Sequence, residues 1–193
     1  MDERLRLFVA LELPAEVRDE LVAWRRGALS ADDRLRGVQS DSLHLTLCFL
    51  GSRPAGEAAA IRAACERGAA GMVAPSLSLG AALWLPARRA RLLALTLSDP
   101  TTRLAALQAS LARELVAGGF LREVSRPFLA HVTVARVRRG ASPARSPRAV
   151  VDGPRPLVFA AGAVALLRSH LEPAGARYES LHRMLLGSPP TGR

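Results

Sequence analysis

The chain has 193 residues, 49% of them hydrophobic and 23% charged, enough to bury a core in one domain. Its formal net charge of +10 points to an anionic partner, nucleic acid first, yet all 27 basic residues are arginine beside abundant alanine, glycine and proline, so coding bias explains the charge as well as a binding face does. Cys48 and Cys65 are too few for a disulfide framework or zinc cluster, and no apolar run approaches the roughly 20 residues of a spanning helix. A cytoplasmic protein with reduced thiols and no membrane partner is expected.

Taken in order, the chain opens with a strand-like run, Arg6 to Leu11, within an apolar stretch from Leu5 to Leu13 that Arg6 and Glu12 interrupt, unlike a signal peptide. Pro14 then opens a helix with Val17, Leu21 and Trp24 on one side. After Gly27 and a polar loop, Leu43 to Leu50 alternates like a strand that stops at Gly51. A helix from about Pro54 to Arg67 and a strand around Leu77 to Leu85 follow. The same order then recurs. Arg91 to Leu97 reads as a strand, and Asp99 and Pro100 cap and open a helix whose Leu104, Leu107, Leu111 and Leu115 form a stripe ending at Gly118 and Gly119. Ala130 to Ala135 is a strand again. Gly140 to Pro156 is a basic Pro/Arg/Ser loop or short turn, and strands near Val158 to Leu167 and Arg177 to Leu185 close the chain.

The two halves, about 5–85 and 90–186, repeat at a period of roughly 85 to 87 residues. The expected fold is α+β: a single bilobed domain over 1–193, of strand-helix-strand units with two small, mainly antiparallel sheets facing a central cleft. Packing about a pseudo-two-fold axis would put equivalent strands on opposite walls of that cleft.

Two of the four histidines stand in one context, His44-Leu45-Thr46-Leu47 and His131-Val132-Thr133-Val134. Alternation sets each histidine and its threonine on one strand face with the apolar residues behind. One such motif is unremarkable, since a half-buried imidazole explains it. Two at equivalent points of a repeat indicate chemistry. An imidazole titrates near pH ~6.5, so one ring can accept a proton from a nucleophile while the other protonates a leaving alcohol, and the threonine hydroxyls can donate to phosphate oxygens. Zinc is the chemical rival, but no cysteine, aspartate or glutamate stands at ligand spacing beside either motif. No metal or other cofactor is expected. His170 and His182 lack a threonine partner and read as surface or packing residues; Trp24 and Trp84 read as core, and 4% aromatic content argues against a base-stacking platform of the single-strand-binding kind.

With these motifs the chain resembles the two-histidine phosphoesterases, and within them the bacterial RNA 2',3'-cyclic phosphodiesterases, also called the 2'-5' RNA ligase family. The likeness runs through Arg6 to Ala10, Leu43 to Gly51, Arg126 to Arg136 and Ser169 to Tyr178. It implies hydrolysis of RNA 2',3'-cyclic phosphate ends to 2'-phosphates, with reversible 2'-5' joining as a side activity; a monomer is expected. It further implies His44 as donor to the leaving oxygen, His131 as acceptor from water, and Thr46, Thr133 and Arg136 as phosphate ligands. Strict alternation puts Arg136 on the face opposite His131, so a bulge or the strand end must bring it to the site. Ala130 departs from the family's usual proline, and Arg88, Arg89 and Arg91 crowd a stretch that is normally less charged, which bears on substrate preference. Two other readings stay open: a cyclic phosphodiesterase acting on a small nucleotide, and a non-catalytic basic protein that binds RNA ends.

Overall fold

In β1 (Arg4–Glu12), Leu5, Leu7, Val9 and Leu11 are buried on one face, and Arg6, Phe8, Ala10 and Glu12 share the other. Helix α1 (Ala15–Ala28) follows Pro14 and turns Val17 and Leu21 inward, with Trp24 half-buried against the same core. The first half continues through β2 (Leu35–Gly37), a 3-10 turn at Ser40–Ser42, β3 (His44–Pro54), α2 (Ala58–Ala69) and β4 (Ser76–Leu85). The second half runs through β5 (Leu92–Ser98), α3 (Arg103–Ala117), β6 (His131–Val137), β7 (Val158–Ala160), β8 (Ala163–Glu172) and β9 (Gly175–Leu185). This computed structural model describes residues 3–29, 33–123, 127–138, 153–172 and 175–188. Of the basic stretch Gly140–Pro156, residues 140–152 lie outside the described residues.

The strands form one nine-stranded sheet in the order β7-β4-β5-β6-β3-β1-β8-β9, with β2 also paired to β6. Every named pairing is antiparallel. The architecture is α+β. The two expected sheets are the two halves of this one sheet, because Leu45 of β3 and Val132 of β6 are register partners and join them. Both residues are fully buried. Each half draws on both ends of the chain: β4 leaves the first half of the sequence to pair with β5 and β7, while β8 and β9 return to lie beside β1.

Several boundaries differ from the sequence expectation for local reasons. Strand β3 does not stop at Gly51 but runs to Pro54, paired with β1 as far as Arg4; Gly51 takes a φ of 72° beside a register shift that leaves Leu50 extra. The α3 helix starts at Arg103, after Thr102 at φ 57°, yet Asp99 still caps it, its Oδ2 accepting from the Leu104 amide at 2.7 Å. The expected strand Val158 to Leu167 is split into β7 and β8, and the three-residue β2 is an addition. On the leucine-bearing face of the sheet α2 and α3 come so close that a Cβ on Gly68 would lie 2.8 Å from the Leu111 Cα. That face is the core. It leaves the opposite face, with Phe8, His44 and Thr46, for function.

Candidate active site

The Leu45–Val132 pair sets the geometry of the site. Extending its antiparallel register by one residue each way sets His44 across from Thr133 and Thr46 across from His131, all on the face away from the core. The histidines thus occupy diagonal corners of a small rectangle and the threonines the other two. His44, Thr46, His131, Thr133 and Arg136 line one cleft of about 40 Å³ together with Val38, Ser42 and Tyr178. That space suits a phosphate group and not a nucleoside.

The two rings are held alike. His44 Nδ1 lies 2.8 Å from the Ser42 carbonyl and His131 Nδ1 lies 2.8 Å from the Leu129 carbonyl, each two residues earlier in the chain. A carbonyl only accepts, so both Nδ1 atoms carry hydrogen and each neutral ring keeps its Nε2 as acceptor. The Thr46 hydroxyl, 3.1 Å from His44 Nε2, donates to it while the ring is neutral. Burial holds the His44 pKa down at about 4; the bond to Ser42 opposes this, and the positive charges of Arg136 and His131 add to it. In the free protein His44 is therefore neutral at pH 7. An anion in the cleft would offset the Arg136 charge and favour the protonated ring.

Arg136 reaches the cleft through a bulge. On β6, Thr133 pairs with Ala94 of β5 but Ala135 pairs with Leu93, leaving Val134 extra. The burial pattern flips there: Val134 and Ala135 are both buried, and Arg136 emerges on the face of His131 and Thr133. The bulge is braced from α1. Arg25 donates through Nη1 to the carbonyls of Val38 and Val134, the second at 3.2 Å, and the Val38 amide donates to the same Val134 carbonyl at 2.9 Å. Gly37 makes room for this brace, since a Cβ there would lie 2.6 Å from the Arg25 guanidinium.

Strand β3 carries the same irregularity at the same point. Thr46 pairs with Ala10 and Cys48 with Val9, leaving Leu47 extra, so Phe49 returns to the cleft face opposite Phe8. His44-Thr46-Phe49 in one half is therefore the counterpart of His131-Thr133-Arg136 in the other. Phe49 is 51% exposed, more open than any other aromatic residue among the described residues, and the Arg6 guanidinium stands 4.7 Å from its ring centroid. Tyr178 of β9 completes the His44 wall. Its ring is 5.0 Å from His44 and 5.0 Å from Phe8, which is itself 4.9 Å from His44. Sequence reasoning assigned no role to Phe49 or Tyr178. Two consecutive residues that break strict alternation, Leu47 and Cys48, were the available signal for Phe49.

The remaining candidates lie elsewhere. His170 contacts Glu179 at 2.7 Å and His182 contacts Glu66 at 2.9 Å, both away from the cleft. Trp24 and Trp84 are half-buried against the core, and both cysteines are buried and free, their thiols pushed up to about 12 by burial. Among the described residues no three of His, Cys, Asp or Glu gather as a metal-binding group.

The 2'-5' RNA ligase superfamily pattern matches residues 13–173 of this sequence. The chain belongs to that superfamily. Within it, the RNA 2',3'-cyclic phosphodiesterase of Escherichia coli K12 is 34% identical over 139 residues, covering 70% of this chain and 74% of that protein. The RNA 2',3'-cyclic phosphodiesterase of Methanothermobacter thermautotrophicus is 30% identical over 183 residues, covering 92% and 97%. Among solved structures, Escherichia coli LigT complexed with 3'-AMP superposes with a TM-score of 0.79 at 29% identity, covering 95% of this chain and 99% of that one. The superfamily pattern spans both histidine strands, so every cleft residue named above except Tyr178 lies inside the matched region.

Proposed function

We propose that this chain hydrolyses RNA 2',3'-cyclic phosphate ends to 2'-phosphates by acid–base catalysis between His44 and His131. The observation that carries this is the diagonal placement of two histidines on one small shared cleft, each ring oriented by a backbone carbonyl. His131 takes a proton from water as its oxygen attacks phosphorus; the P–O3' bond breaks, and His44 gives a proton to the departing 3'-oxygen. Thr46, Thr133 and Arg136 hold the non-bridging oxygens and stabilise charge as it builds there. His44 is loaded for this role by substrate, because an anionic phosphate beside it counters the burial and the Arg136 charge that keep the free ring neutral. The open ring of Phe49 seats the nucleobase attached to the same ribose.

With a 5'-hydroxyl in place of water, the same two proton transfers form a 2',5'-phosphodiester, so joining is a side activity of the same site. Both histidines come from one chain and each half of the sheet needs strands from both ends of it. One copy thus carries both histidine strands of the site, and a monomer acting in the cytoplasm is the expected working form. Among the described residues no helix is long and apolar enough to cross a membrane.

The test is incubation with an oligonucleotide ending in a 2',3'-cyclic phosphate, with excess chelator, followed by phosphorus NMR of the product. A 2'-phosphate formed at an undiminished rate is expected. A 3'-phosphate would reverse the acid and base assignments, and loss of turnover restored by zinc or manganese would move the histidines into a metal site.

A further inference from the structure

Beyond the His44 end of the cleft the sheet carries a block of arginines. Arg36 of β2 is the register partner of Arg136 of β6, so the two stand side by side on the cleft face. Two residues on, roughly 6.8 Å along the strands, Arg34 and Arg138 face each other in the same way, the Arg138 amide donating to the Arg34 carbonyl at 2.8 Å. Like charges set directly opposite weaken a strand pair. Two such pairs in succession therefore mark a surface suited to an anion with more than one charge. Arg138 Nε donates to the Asp33 carbonyl at 2.8 Å, which fixes the guanidinium without neutralising it. The β4–β5 turn adds Arg88, Arg89 and Arg91, all exposed, at the same end of the sheet, where the Arg91 carbonyl accepts from the Val137 amide at 2.8 Å.

A groove joins this block to the cleft. It has a volume of about 250 Å³ and shares Val38, Ser42, Arg136 and Tyr178 with the cleft. Arg36 crosses it toward the start of β9, where Gly175 makes room: a Cβ there would lie 2.7 Å from the Arg36 guanidinium. On the far wall Arg177 is held 2.9 Å from Glu172.

The bonding of a 2',3'-cyclic phosphate says what leaves the cleft at this end. The departing 3'-oxygen sits on C3', whose neighbour C4' leads through C5' to the upstream phosphate. The retained 2'-oxygen sits on C2', whose neighbour C1' carries the base. With the 3'-oxygen at His44, the upstream strand departs past His44 and the base turns the other way, toward Phe49. We propose that the groove and the arginine block are the path of the RNA strand upstream of its cyclic end, with the first upstream phosphate at Arg36 and the next at Arg34 and Arg138. The inference rests on the two-histidine reading above. It makes these arginines the residues that favour a strand end over a cyclic mononucleotide, and it gives the charge of Arg88, Arg89 and Arg91 a use further along the same strand.

The experiment measures steady-state kinetics of the full chain on three substrates: a nucleoside 2',3'-cyclic phosphate, a tetranucleotide with a 2',3'-cyclic end, and that tetranucleotide with its first upstream linkage replaced by a neutral methylphosphonate. The unmodified protein should favour the tetranucleotide over the mononucleotide about tenfold in kcat/KM. Arg36→Ala and Arg138→Ala should each remove most of that preference through KM, and leave the mononucleotide within about twofold. Each should also flatten the dependence of log kcat/KM on log salt by roughly 0.7 for the tetranucleotide. The neutral linkage should slow the unmodified protein but not Arg36→Ala, because both remove the same contact. Losses from the linkage and from Arg36→Ala that multiply would show that this phosphate lies elsewhere. Equal losses on mononucleotide and tetranucleotide would mean that the arginines serve the cleft alone, and an unmodified protein with no preference for the tetranucleotide would overturn the path outright. Absence of turnover on all three substrates would sink the underlying reading instead.

Discussion

Strands β3 and β6 run through the same sequence of events and end differently. Each starts with a histidine tied to a carbonyl two residues back, presents a threonine on the same face, bulges at the next apolar pair, and then returns a side chain to that face of the sheet. In β3 that side chain is Phe49 and in β6 it is Arg136. Up to the bulge the halves supply equal chemistry; after it they supply an aromatic surface and a cation. A substrate with a base on one side of phosphorus and a charged strand on the other needs this combination. On the proposed mechanism the two histidines are equivalent proton carriers, and the third residue is what distinguishes the two flanks. Burial adds to the difference, since His44 sits between Phe8 and Tyr178.

The sharpest way to break the comparison is to remove the equal parts. His44→Ala and His131→Ala should each lower turnover roughly 10²- to 10⁴-fold while circular dichroism shows the fold retained. Near-normal turnover in either folded variant would strike that residue from the mechanism. Thr46→Ala and Thr133→Ala should cost about 10- to 1000-fold, because each removes one phosphate donor and no proton carrier.

The unequal third position should separate next. Arg136→Ala should reduce kcat/KM about 100-fold on every cyclic phosphate, with or without a base. Phe49→Ala should cost about tenfold, chiefly in KM, on base-bearing substrates and nothing on an abasic ribose 2',3'-cyclic phosphate. Equal losses on both substrates would mean that Phe49 only packs the sheet. Steady-state kinetics on the paired substrates decides the matter.

Most of this arrangement was readable before folding, and the exceptions have identifiable causes. Period-two alternation announced β1, β3, β5 and β6, and the leucine stripe announced α3, because long patterned segments declare their buried face. The histidines and threonines were readable for the same reason, as they lie before the bulges. Phe49 was not, since strict alternation from His44 points it into the core and only the extra Leu47 turns it back. For Arg136 the need for such a bulge was evident, but its brace by Arg25 joins residues 109 positions apart. Tyr178 reaches His44 from a strand three places away in the sheet, a consequence of curvature that no local pattern encodes. The exchange of β4 and β8 between the halves was hidden likewise, because alternation tells a strand which face to bury and not which neighbour to join.

The smallest expected effect concerns stability. The folded His44 value of about 4 lies below its ordinary 6.5, so the unfolded chain takes up the proton first as pH falls. Its contribution is complete above about pH 6.5 and is lost progressively as pH drops toward 4, about 3 kcal/mol in all. Urea melts at pH 7 and pH 4 should show the wild type losing more stability over that interval than His44→Asn, by about that amount. Saturating inorganic phosphate should move the His44 titration back up toward 6.5, visible by imidazole nitrogen NMR.

The division of labour between the two rings is the central claim, and one substrate tests it. Replacing the bridging 3'-oxygen of a 2',3'-cyclic phosphate with sulfur creates a leaving thiolate that departs without protonation, yet still requires an activated water. On that substrate His44→Ala should recover to within about tenfold of the unmodified protein, while His131→Ala should stay at least about 100-fold impaired. Recovery of His131→Ala with no recovery of His44→Ala would show the roles exchanged, and equal impairment of both would contradict separate acid and base roles.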